Sequence, residues 1–446
     1  MKIACLSLVE IFPDYVLGGS QNILRKIILG LRENNINVRL FSPKNDNPKS
    51  FIGDVEIENK LSLKGSFPSP FEIPLYELQS LQEELEKISS WADRLYFHGD
   101  GWFMRNEFVD STTISGIHDL VYQESVTSVM FSESDKIIVP SNYLRDTIKS
   151  SLSNEKFNQT NISVIKNSID NFSKSIKIND SISNDNLILL FPHRPDIRKG
   201  LNNAIKISLE FIHTKNWNTV TLKVPKFNEN LDKDEKNSSY IDQELKNEFI
   251  SSGGNILFHD WIPLNKMSDY YKSGDLTLCP GNFIESFGLV PLESLSNGTP
   301  AICSSVGAFR EFDGFDGLKV IPYGDTKSFV KKGLELLSSK DEILAGRERV
   351  ILNYDLNSMI DHYIEVFTNP SFKENYKSNT NQFYAKIDGK NYDLSPWCFI
   401  NNNKIYHDYK GWLDSFENKF KIIDKEIFFV DNISQKALDE KILISS

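Results

Sequence analysis

The sequence predicts an α/β protein in which two successive doubly wound domains face a crevice and a smaller element follows them. The first observation is that short apolar strands alternate with amphipathic helical patterns from the first residues onward. The second is that the same alternation begins again after a polar stretch at 171–186. Parallel strands need long crossover connections, which are usually helices, so both series indicate parallel sheets covered by helices.

The first series begins with an apolar strand at 3–8, a loop that contains Gly18 and Gly19, and a helix from about Ser20. The apolar residues of that helix recur at helical spacing and predict one buried face: Leu24, Ile27, Ile28 and Leu31. Further strands are predicted at 38–42, 94–98, 112–117, 136–140 and 163–165. The N-terminal stretch fits a buried strand better than a signal peptide because Glu10 interrupts its apolar run.

The second series follows a linker, which the Ser, Asn and Asp content of 171–186 indicates. Its strands are predicted at 187–191, 219–224, 255–258, 276–279, 301–304 and 319–321. From 371 the pattern changes to an Asp-Gly turn with alternating Tyr and Phe, which predicts short antiparallel strands. The predicted boundaries are 1–175 and 176–352 for the two domains, 353–370 for a helix crossing back to the first domain, and 371–446 for an appended element.

The bulk composition restricts the class of protein. With 446 residues, of which 40% are hydrophobic and 25% charged, the chain is long enough for more than one globular domain. A net charge of −11 argues against a nucleic-acid binder, which needs a surplus of Lys and Arg for phosphate contacts. No run of about 18 apolar residues exists, so no membrane span is predicted. The cysteines are far apart without a CxxC pair, which predicts reduced, buried thiols in a cytoplasmic protein: Cys5, Cys279, Cys303 and Cys398.

Candidate ligand-binding residues follow the predicted strands, because open α/β sheets bind ligands at the carboxyl ends of their strands. Gly18 and Gly19 precede a helix, where the backbone can approach a ligand closely and the helix N-terminus favours an anion. Taken alone, this pair is more typical of an ordinary loop. Arg194 and Lys199 lie in the loop after the strand at 187–191, and two such cations can straddle a diphosphate. Two solvated surface charges would give the same pattern.

The stretch at 285–293 carries two carboxylates, one in a loop and one on the helix that the loop leads into. Glu285 belongs to the loop, and Glu293 follows about one turn into the helix. We expect the backbone amides of Phe287, Gly288 and Leu289 to point toward a bound ligand. The carboxylates could then accept hydrogen bonds from the hydroxyls of a sugar or ribose, while the backbone amides donate to a phosphate. One capping acid and one exposed acid would be the alternative explanation.

A single histidine, His118, follows the predicted strand at 112–117 and precedes Asp119. An isolated histidine is more often structural than catalytic.

In combination, these motifs resemble the retaining glycosyltransferases of family 4, which have the GT-B fold, over roughly residues 1–368. The most specific element is Glu285 and Glu293 with seven residues between them, followed by Asn-Gly-Thr-Pro. Supporting motifs occur in the expected order: Gly18-Gly19, His118-Asp119, 134–148, 167–170, 194–200 and 258–263. Two positions depart from the usual family pattern, since His193 and Ser168 stand where a glycine is common.

The resemblance implies a role for each matching residue. Glu285 would hold hydroxyls of the donor sugar, with the amides of Phe287, Gly288 and Leu289 contacting that sugar and the phosphate. Glu293 would accept from the ribose of the nucleotide. Arg194 and Lys199 would neutralise the diphosphate, and Gly18 and Gly19 would approach that diphosphate from the opposite domain. His118 would lie beside the reacting carbon of the sugar. The backbone around Trp261 and Ile262 would border the base.

The resemblance implies a retaining hexosyltransferase of carbohydrate biosynthesis that takes a nucleotide-diphosphate sugar, such as a UDP- or GDP-sugar, as donor and needs no cofactor. The acceptor would be a glycan, a lipid-linked sugar or a small molecule, contacted by loops such as 55–75. We expect metal independence, because cations and a helix N-terminus can stabilise the leaving oxygen. The only Asp-x-Asp pair, Asp232 and Asp234, lies in a Lys/Glu-rich segment.

Other functions stay open at this stage. An epimerase or phosphorylase on the same fold, or a non-catalytic scaffold subunit, would share much of the pattern. A dehydrogenase fits less well because no GxGxxG follows a predicted strand. The helix after Gly19 carries Arg25, Lys26 and Arg32 beside its apolar face, which also leaves open a peripheral contact with the inner face of a membrane. An ordinary helix of a globular domain has the same pattern.

Overall fold

The computed structural model describes residues 1–11, 19–45, 49–63, 75–99, 111–118, 120–121, 123–131, 134–151, 161–169, 172, 185–194, 196–226, 241–371, 383–430 and 433–445. The chain forms two compact units. The first comprises 1–168 and 354–379, and the second comprises 169–353 and 380–446.

The first unit is built on a sheet of eight strands among its described residues. They are β1 (Lys2–Ser7), β2 (Asn37–Pro43), β3 (Phe51–Ile52), β4 (Val55–Leu61), β5 (Arg94–Gly99), β6 (Thr112–Ile117), β7 (Lys136–Val139) and β8 (Ile162–Val164). Their order is β3-β4-β2-β1-β5-β6-β7-β8. All neighbouring pairs are parallel except β3 with β4. The parallel sheet that the βαβ pattern predicts is therefore confirmed.

The helices of the chain mostly connect consecutive strands of the two sheets, but the last four follow those strands. Among the described residues they are α1 (Gly19–Glu33), α2 (Leu78–Trp91), α3 (Gln123–Phe131), α4 (Asn142–Ser151), α5 (Leu201–His213), α6 (Gln243–Ser251), α7 (Met267–Lys272), α8 (Leu289–Ser296), α9 (Thr326–Leu337), α10 (Lys340–Asn353), α11 (Leu356–Thr368) and α12 (Ile433–Asp439). No helix of these residues is both long enough and apolar enough to cross a membrane.

The apolar face of α1 is buried in the core of the first unit. Leu24, Ile27, Ile28 and Leu31 are each at most 1% exposed. Lys26 on the same helix is also buried, and its Nζ donates to the Ser168 carbonyl at 2.9 Å. This is the pattern of an ordinary core helix, whose apolar side chains are buried inside the unit.

The first unit is completed by α11, which lies far along the chain. Ile360, Tyr363 and Phe367 are buried in the same cluster as the residues of α1. The ring of Phe367 makes an edge contact with Tyr96 of β5, with 5.4 Å between the centroids. The Nε of Arg94 donates to the Phe367 carbonyl at 2.8 Å. Side chains and backbone therefore both attach this helix to the sheet.

The second unit contains a sheet of six parallel strands. They are β9 (Asn186–Leu190), β10 (Thr219–Pro225), β11 (Gly254–His259), β12 (Leu276–Cys279), β13 (Ala301–Ser304) and β14 (Leu318–Ile321). Their order is β11-β10-β9-β12-β13-β14, with every neighbouring pair parallel. Because the order reverses beside β9, the loops after β9 and β12 lie next to each other at the carboxyl edge, where such sheets bind ligands.

The appended element of the second unit is rich in antiparallel strands. They are β15 (Tyr384–Ile387), β16 (Lys390–Leu394), β17 (Cys398–Asn401), β18 (Lys404–His407), β19 (Gly411–Trp412), β20 (Phe420–Ile423), β21 (Glu426–Phe429) and β22 (Leu443–Ser445). They form two sheets, ordered β20-β21-β15-β16-β22 and β17-β18-β19. Leu394, Ile405, Phe416 and Leu443 are among the buried residues of their separate core.

Most predicted elements are confirmed, and one prediction is wrong. Residues 55–75 are not one loop, because Val55–Leu61 is strand β4, paired in parallel with β2 and in an antiparallel manner with β3. Its residues alternate between buried and less buried only in part, so the periodic signal of a strand is weak. Residues 64–74 and most of 171–184 lie outside the described part of the chain. All four cysteines are buried and unpaired, as predicted.

We expect Phe367→Ala to lower the free energy of unfolding by about 3–5 kcal/mol, because it leaves a cavity in a fully buried aromatic cluster. Leu352→Ala on the preceding helix is the matched control, since that side chain is 76% exposed and should change stability by less than about 0.5 kcal/mol. Urea unfolding followed by circular dichroism measures both. Equal effects of the two variants would contradict the packing of α11 on the first sheet.

Candidate functional site

The candidate site of the second unit begins with a close contact between two loops at the carboxyl edge of the sheet. The loop after β9 reaches α5 through Lys199 and Gly200, and the loop after β12 begins at Pro280. A Cβ at Gly281 would lie 2.1 Å from the carbonyl oxygen of Arg198, so only glycine allows this approach. The backbone amides of Asn282 and Phe283 donate to that same carbonyl at 2.8 and 2.9 Å.

The contact is stabilised from within the first loop by Asp196. Its carboxylate accepts the backbone N–H of Arg198 at 2.9 Å and pairs with the Arg198 guanidinium at 2.6 Å. Burial raises the pKa of Asp196, but the hydrogen bonds from Arg198 outweigh that effect and hold the pKa below its usual value. Gly200 then turns the chain into α5 with a left-handed backbone (φ 84°). The loop is therefore ordered by its own polar contacts.

The result is an ion pair between two of the predicted site residues. Lys199 Nζ lies 2.5 Å from Glu285 Oε1, and the two side chains are 13% and 17% exposed. A pair so little exposed is screened weakly by water, and removal of one partner would leave the other charge unpaired. Each residue is thus the partner of the other.

Three cations surround the ring of Phe283, which is itself buried. The charged groups of Arg194, Arg198 and Lys199 lie 5.8, 4.8 and 3.7 Å from its centroid. Two carboxylates lie in the same group: Asp196 pairs with Arg198, and Glu285 pairs with Lys199. An aromatic face attracts cations, and this group of residues is suited to bind an anion such as a diphosphate.

A small cleft, partly open to solvent, lies beside this group. Its lining residues are His193, Lys199, Cys279, Gly281, Phe283, Glu285 and Phe309. His193, which replaces the glycine common at this position, is buried, and its Nε2 lies 3.1 Å from the Leu278 carbonyl oxygen. The imidazole therefore occupies space under the cleft that a glycine would leave open.

The thiol of Cys279 lies next to His193 and opposite Cys303 on the neighbouring strand. Burial raises the pKa of Cys279, but the hydrogen bond with Cys303 and the nearby imidazole lower it in total to about 6.

Glu293 lies on α8, away from the ion pair, and accepts a hydrogen bond from a tyrosine. The hydroxyl of Tyr271 donates to Glu293 Oε2 at 2.9 Å. Tyr271 is 1% exposed, and burial together with the Glu293 charge holds its pKa well above the usual range, so it remains a donor. Ile262 packs against the cluster that contains Tyr271, whereas Trp261 beside it is 39% exposed. Ile262, which is predicted to border the base, thus packs against the cluster of the tyrosine that donates to Glu293, the residue predicted at the ribose.

The helix α8 begins at a glycine that its surroundings require. Gly288 is the N-cap with a left-handed backbone (φ 89°) and no side-chain cap. A Cβ there would lie 2.5 Å from the ring of Phe309. The N-terminal peptide groups of the helix follow at Leu289, where the positive end of the helix dipole favours an anion. Phe287 is buried, which directs its side chain into the protein.

The candidate residues of the first unit also lie at the carboxyl edge of a sheet. His118 follows β6, is 7% exposed, and donates its backbone N–H to the Gly99 carbonyl at 2.8 Å. Its ring lies 4.4 Å from that of His98, between centroids. His98 Nε2 lies 2.8 Å from the Ser20 carbonyl oxygen, which ties it to the first turn of α1, where Gly19 begins the helix.

Both imidazoles are neutral near pH 7. Burial lowers the pKa of His98 to about 4, although the hydrogen bond to Ser20 partly opposes the shift. Burial and the neighbouring His98 hold the pKa of His118 well below its usual range. A neutral His98 also has its other ring nitrogen, Nδ1, 2.9 Å from the Tyr96 hydroxyl. The first unit therefore presents an uncharged polar pair, in contrast with the charged cluster of the second.

The predicted site residues divide between the two units. Gly19 and His118 belong to the first, and the others that the structure describes belong to the second: Arg194, Lys199, Trp261, Ile262, Glu285, Phe287, Gly288, Leu289 and Glu293. Gly18, Asp119, Asp232 and Asp234 lie outside the described residues. Among the residues that are described, no three His, Cys, Asp or Glu side chains group closely enough to hold a metal ion.

Four residues of these sites were not predicted as functional from the sequence. Arg198 and Phe283 occupy the same loops as predicted residues, so their position after a strand was a usable signal. His98 lies near the carboxyl end of strand β5 itself, and its place at that edge was the available signal. Tyr271 gave no such signal, because it lies on α7 and reaches Glu293 only through the packing of α7 against α8.

Comparison with known proteins agrees with this architecture. Residues 173–351 match the family model described as glycosyl transferases group 1. The sucrose-phosphate synthase of Thermosynechococcus elongatus superposes with a TM-score of 0.60 at 16% identity, over 83% of this chain and 99% of that one. The Anabaena protein HepE, solved in complex with UDP and glucose, superposes with a TM-score of 0.58 at 15% identity, over 82% and 99%. The chain has the GT-B fold, with two Rossmann-like units.

A curated relative matches over a shorter segment. The D-inositol 3-phosphate glycosyltransferase of Thermobispora bispora is 33% identical over 111 residues, which are 24% of this chain and 26% of that protein. The chain thus aligns with about a quarter of the length of this relative.

We expect the first unit to lose stability on acidification through His98. Its folded pKa of about 4 is below the unfolded value of about 6.5, so below pH 6.5 the unfolded chain binds more protons and stability falls until about pH 4. Between pH 7 and pH 5 this group should remove about 2 kcal/mol from the free energy of unfolding. Denaturation of the His98→Gln variant should show a correspondingly smaller loss, whereas exposed His213→Gln should retain the wild-type loss. Identical pH dependence in all three proteins would contradict the buried, neutral His98.

Proposed function

We propose that this chain is a retaining glycosyltransferase that moves a hexose from a nucleotide-diphosphate sugar to an acceptor without a metal ion. The observation that carries the proposal is the Lys199–Glu285 ion pair at the cleft, with the charged groups of Arg194 and Arg198 close to the Phe283 ring that lines it. A cation at a diphosphate and a carboxylate at a sugar are what such a donor needs. The match to glycosyl transferases group 1 covers both residues.

Donor binding would exchange one set of partners for another. The diphosphate would take Lys199 and Arg194 as counter-charges, which releases the Glu285 carboxylate from its lysine to accept the sugar hydroxyls. After such an exchange the diphosphate compensates the charge of Lys199, and the Glu285 carboxylate keeps hydrogen-bond donors in the sugar hydroxyls. The N-terminus of α8, with Gly288 and Leu289, would add peptide N–H donors for a phosphate oxygen. Phe287 would contribute its backbone amide there.

The nucleoside would lie on the other side of the diphosphate. Glu293 would accept hydrogen bonds from the ribose hydroxyls. The Tyr271 hydroxyl also donates to this carboxylate and would orient it. The backbone at Trp261 and Ile262 would border the base, as in the family that the chain resembles. HepE was solved with UDP and with UDP-glucose, which supports a uridine or related nucleotide as donor here.

The chemistry follows from the charges that develop in the transition state. Cleavage of the bond between the sugar and the diphosphate makes the anomeric carbon positive and the departing oxygen negative. Arg194, Lys199 and the helix N-terminus would stabilise that oxygen, the task that a metal performs in other enzymes. We propose that the acceptor hydroxyl attacks the anomeric carbon from the face that the leaving group departs from, as in retaining members of family 4. The bond to the acceptor oxygen forms as the bond to the diphosphate breaks, and the departing diphosphate oxygen takes the hydroxyl proton.

The first unit would complete the reaction centre and bind the acceptor. The neutral His118 would lie beside the donor sugar and offer a hydrogen bond without adding charge, and Gly18 and Gly19 would approach the diphosphate. The acceptor would be a glycan, a lipid-linked sugar or a small molecule. The buried cysteines, none of which forms a disulfide, support a cytoplasmic location.

We expect one class of nucleotide sugar, in a screen of UDP-, GDP- and ADP-sugars, to raise the melting temperature of the protein, because it binds only the folded state. The stabilising donor should release its nucleoside diphosphate only when an acceptor is added, and equally well in excess EDTA. Inorganic phosphate as the required co-substrate would indicate a phosphorylase, and an altered sugar nucleotide would indicate an epimerase. Binding without any reaction would indicate a scaffold, and loss of activity in EDTA would overturn metal independence.

We expect Glu293→Ala and Lys199→Ala to affect different steps. The first should weaken nucleotide binding by about 10- to 100-fold, because it removes hydrogen bonds to a charged acceptor. The second should lower turnover by about 10²- to 10³-fold, because it removes a cation from the leaving oxygen. Calorimetry with UDP or GDP and steady-state kinetics separate the two effects.

The exposed residues Glu248 and Lys206 provide matched controls for these variants. Glu248→Ala and Lys206→Ala remove the same charges from the surface of the second unit and should leave binding and turnover within about twofold of wild type. Wild-type kinetics in Glu293→Ala and Lys199→Ala would contradict the site assignment.

A further inference from the structure

The appended element lies beyond the family match, which ends at residue 351, yet it is part of the second unit. A carboxylate of this element, that of Asp408, contacts the Rossmann-like part. The side chain of Asp408 is fully buried, and its oxygens pair with the Arg310 guanidinium at 2.5 and 3.0 Å. The same carboxylate accepts the backbone N–H of Gly307 at 3.4 Å. An ion pair so deeply buried is a specific junction rather than a surface contact.

Asp408 is held in place by the appended element itself. It lies in the tight connection between β18 and β19, where its backbone N–H donates to the Trp397 carbonyl at 2.8 Å. The backbone N–H of Tyr409 donates to His407 Nδ1 at 3.1 Å, which closes the turn. On the other side of the junction, Arg310 also donates to the Pro396 carbonyl at 2.6 Å. The carboxylate therefore reaches Gly307 from a rigid support.

The segment that Asp408 holds is the support of Glu285. It is the short helical turn Gly307–Phe312, which follows β13 at the carboxyl edge of the sheet. The backbone N–H of Ala308 donates to the Glu285 carbonyl at 2.7 Å. A Cβ at Gly307 would lie 2.4 Å from that same carbonyl oxygen, so the two backbones touch. Any shift of this turn must move Glu285.

The same turn also shapes the cleft and the start of α8. Phe309 lines the cleft together with Lys199 and Glu285. Its ring lies where a side chain at Gly288 would be, 2.5 Å from the position of the missing Cβ, and the Phe312 ring is 3.3 Å from that position. One turn thus contacts both the proposed sugar-binding carboxylate and the proposed phosphate-binding helix N-terminus.

We propose that Asp408 is a positioning residue for the donor site, through which the appended element sets the place of Glu285. Asp408 fixes Gly307 and Arg310, and the turn Gly307–Phe312 then fixes the Glu285 carbonyl and the cleft wall. This inference rests on the proposed function for its effect on catalysis, but its structural step, from Asp408 to Glu285, does not. A residue that only attaches the appended element would leave the geometry of Glu285 unchanged when it is altered.

The test uses the full-length Asp408→Asn variant, which keeps the shape of the side chain and removes its charge. Asp414→Asn is the matched control, because this exposed aspartate belongs to the same element and lies only six residues away. The double variant Asp408→Asn/Arg310→Gln removes both charges and serves if the single variant does not fold, since it leaves no unpaired ion at the junction.

The first measurement is hydrogen–deuterium exchange, which needs no substrate. In Asp408→Asn or the double variant, exchange should accelerate at least about tenfold in peptides covering 283–289 and 306–312, with β9 to β11 unchanged. The Ala308 amide, which donates to Glu285, is the most informative position. Acceleration confined to 383–445, or spread evenly over the whole unit, would overturn the proposal. Asp414→Asn should match wild type throughout.

The second measurement is steady-state kinetics with the donor found in the screen. Displacement of Glu285 should raise KM for the donor and lower kcat/KM by about tenfold or more, because errors of about 1 Å in positioning have large effects on rate. A purely structural defect would lower kcat through loss of folded enzyme and leave KM unchanged, which would contradict the proposal. If the wild type transfers no sugar, the proposed function fails, and the exchange pattern alone decides whether Asp408 positions Glu285.

Discussion

The backbone contact between the loops after β9 and β12 is the constraint on which the candidate site depends. A side chain at Gly281 would collide with the Arg198 carbonyl, and that same carbonyl accepts the two amides that follow Gly281. The contact brings Lys199 onto Glu285 and places Phe283 among three cations. Without this contact, the charged side chains of the two loops would be separated by water, and their attraction for each other would be weak.

The two units offer different electrostatic environments, and the difference follows from burial and from charge pairing. In the second unit, the opposite charges of Lys199 and Glu285 pair at the edge of a cleft. In the first unit, His98 and His118 are buried side by side with no carboxylate among the contacts that the described residues show, so the neutral form is favoured. A charged site is suited to a diphosphate, and a neutral one to hydroxyl groups.

The appended element illustrates how a region with its own core can contact the ligand-binding edge of a Rossmann-like sheet. Its core is separate from that of the Rossmann-like sheet, yet Asp408 is buried against the turn that supports Glu285. The carboxyl edge of a parallel sheet is where ligand-binding loops gather, so anything that docks there touches the loops rather than the core. A contact at the opposite edge would have no comparable route to the site.

Much of the fold followed from local patterns, since strand and helix periods are properties of consecutive residues. The strand Val55–Leu61 was not predicted because its alternation of buried and exposed residues is weak. Its parallel partner, β2, comes from elsewhere in the chain. For the site, the order of residues along the chain is enough to predict which side chains follow strands, and the resemblance indicates which of those are functional candidates. Which side chains contact each other depends on the fold. Lys199 and Glu285 are 86 positions apart, and Gly307 and Asp408 are 101 apart. Contacts over such separations depend on how strands are ordered and how loops pack, which no local period encodes.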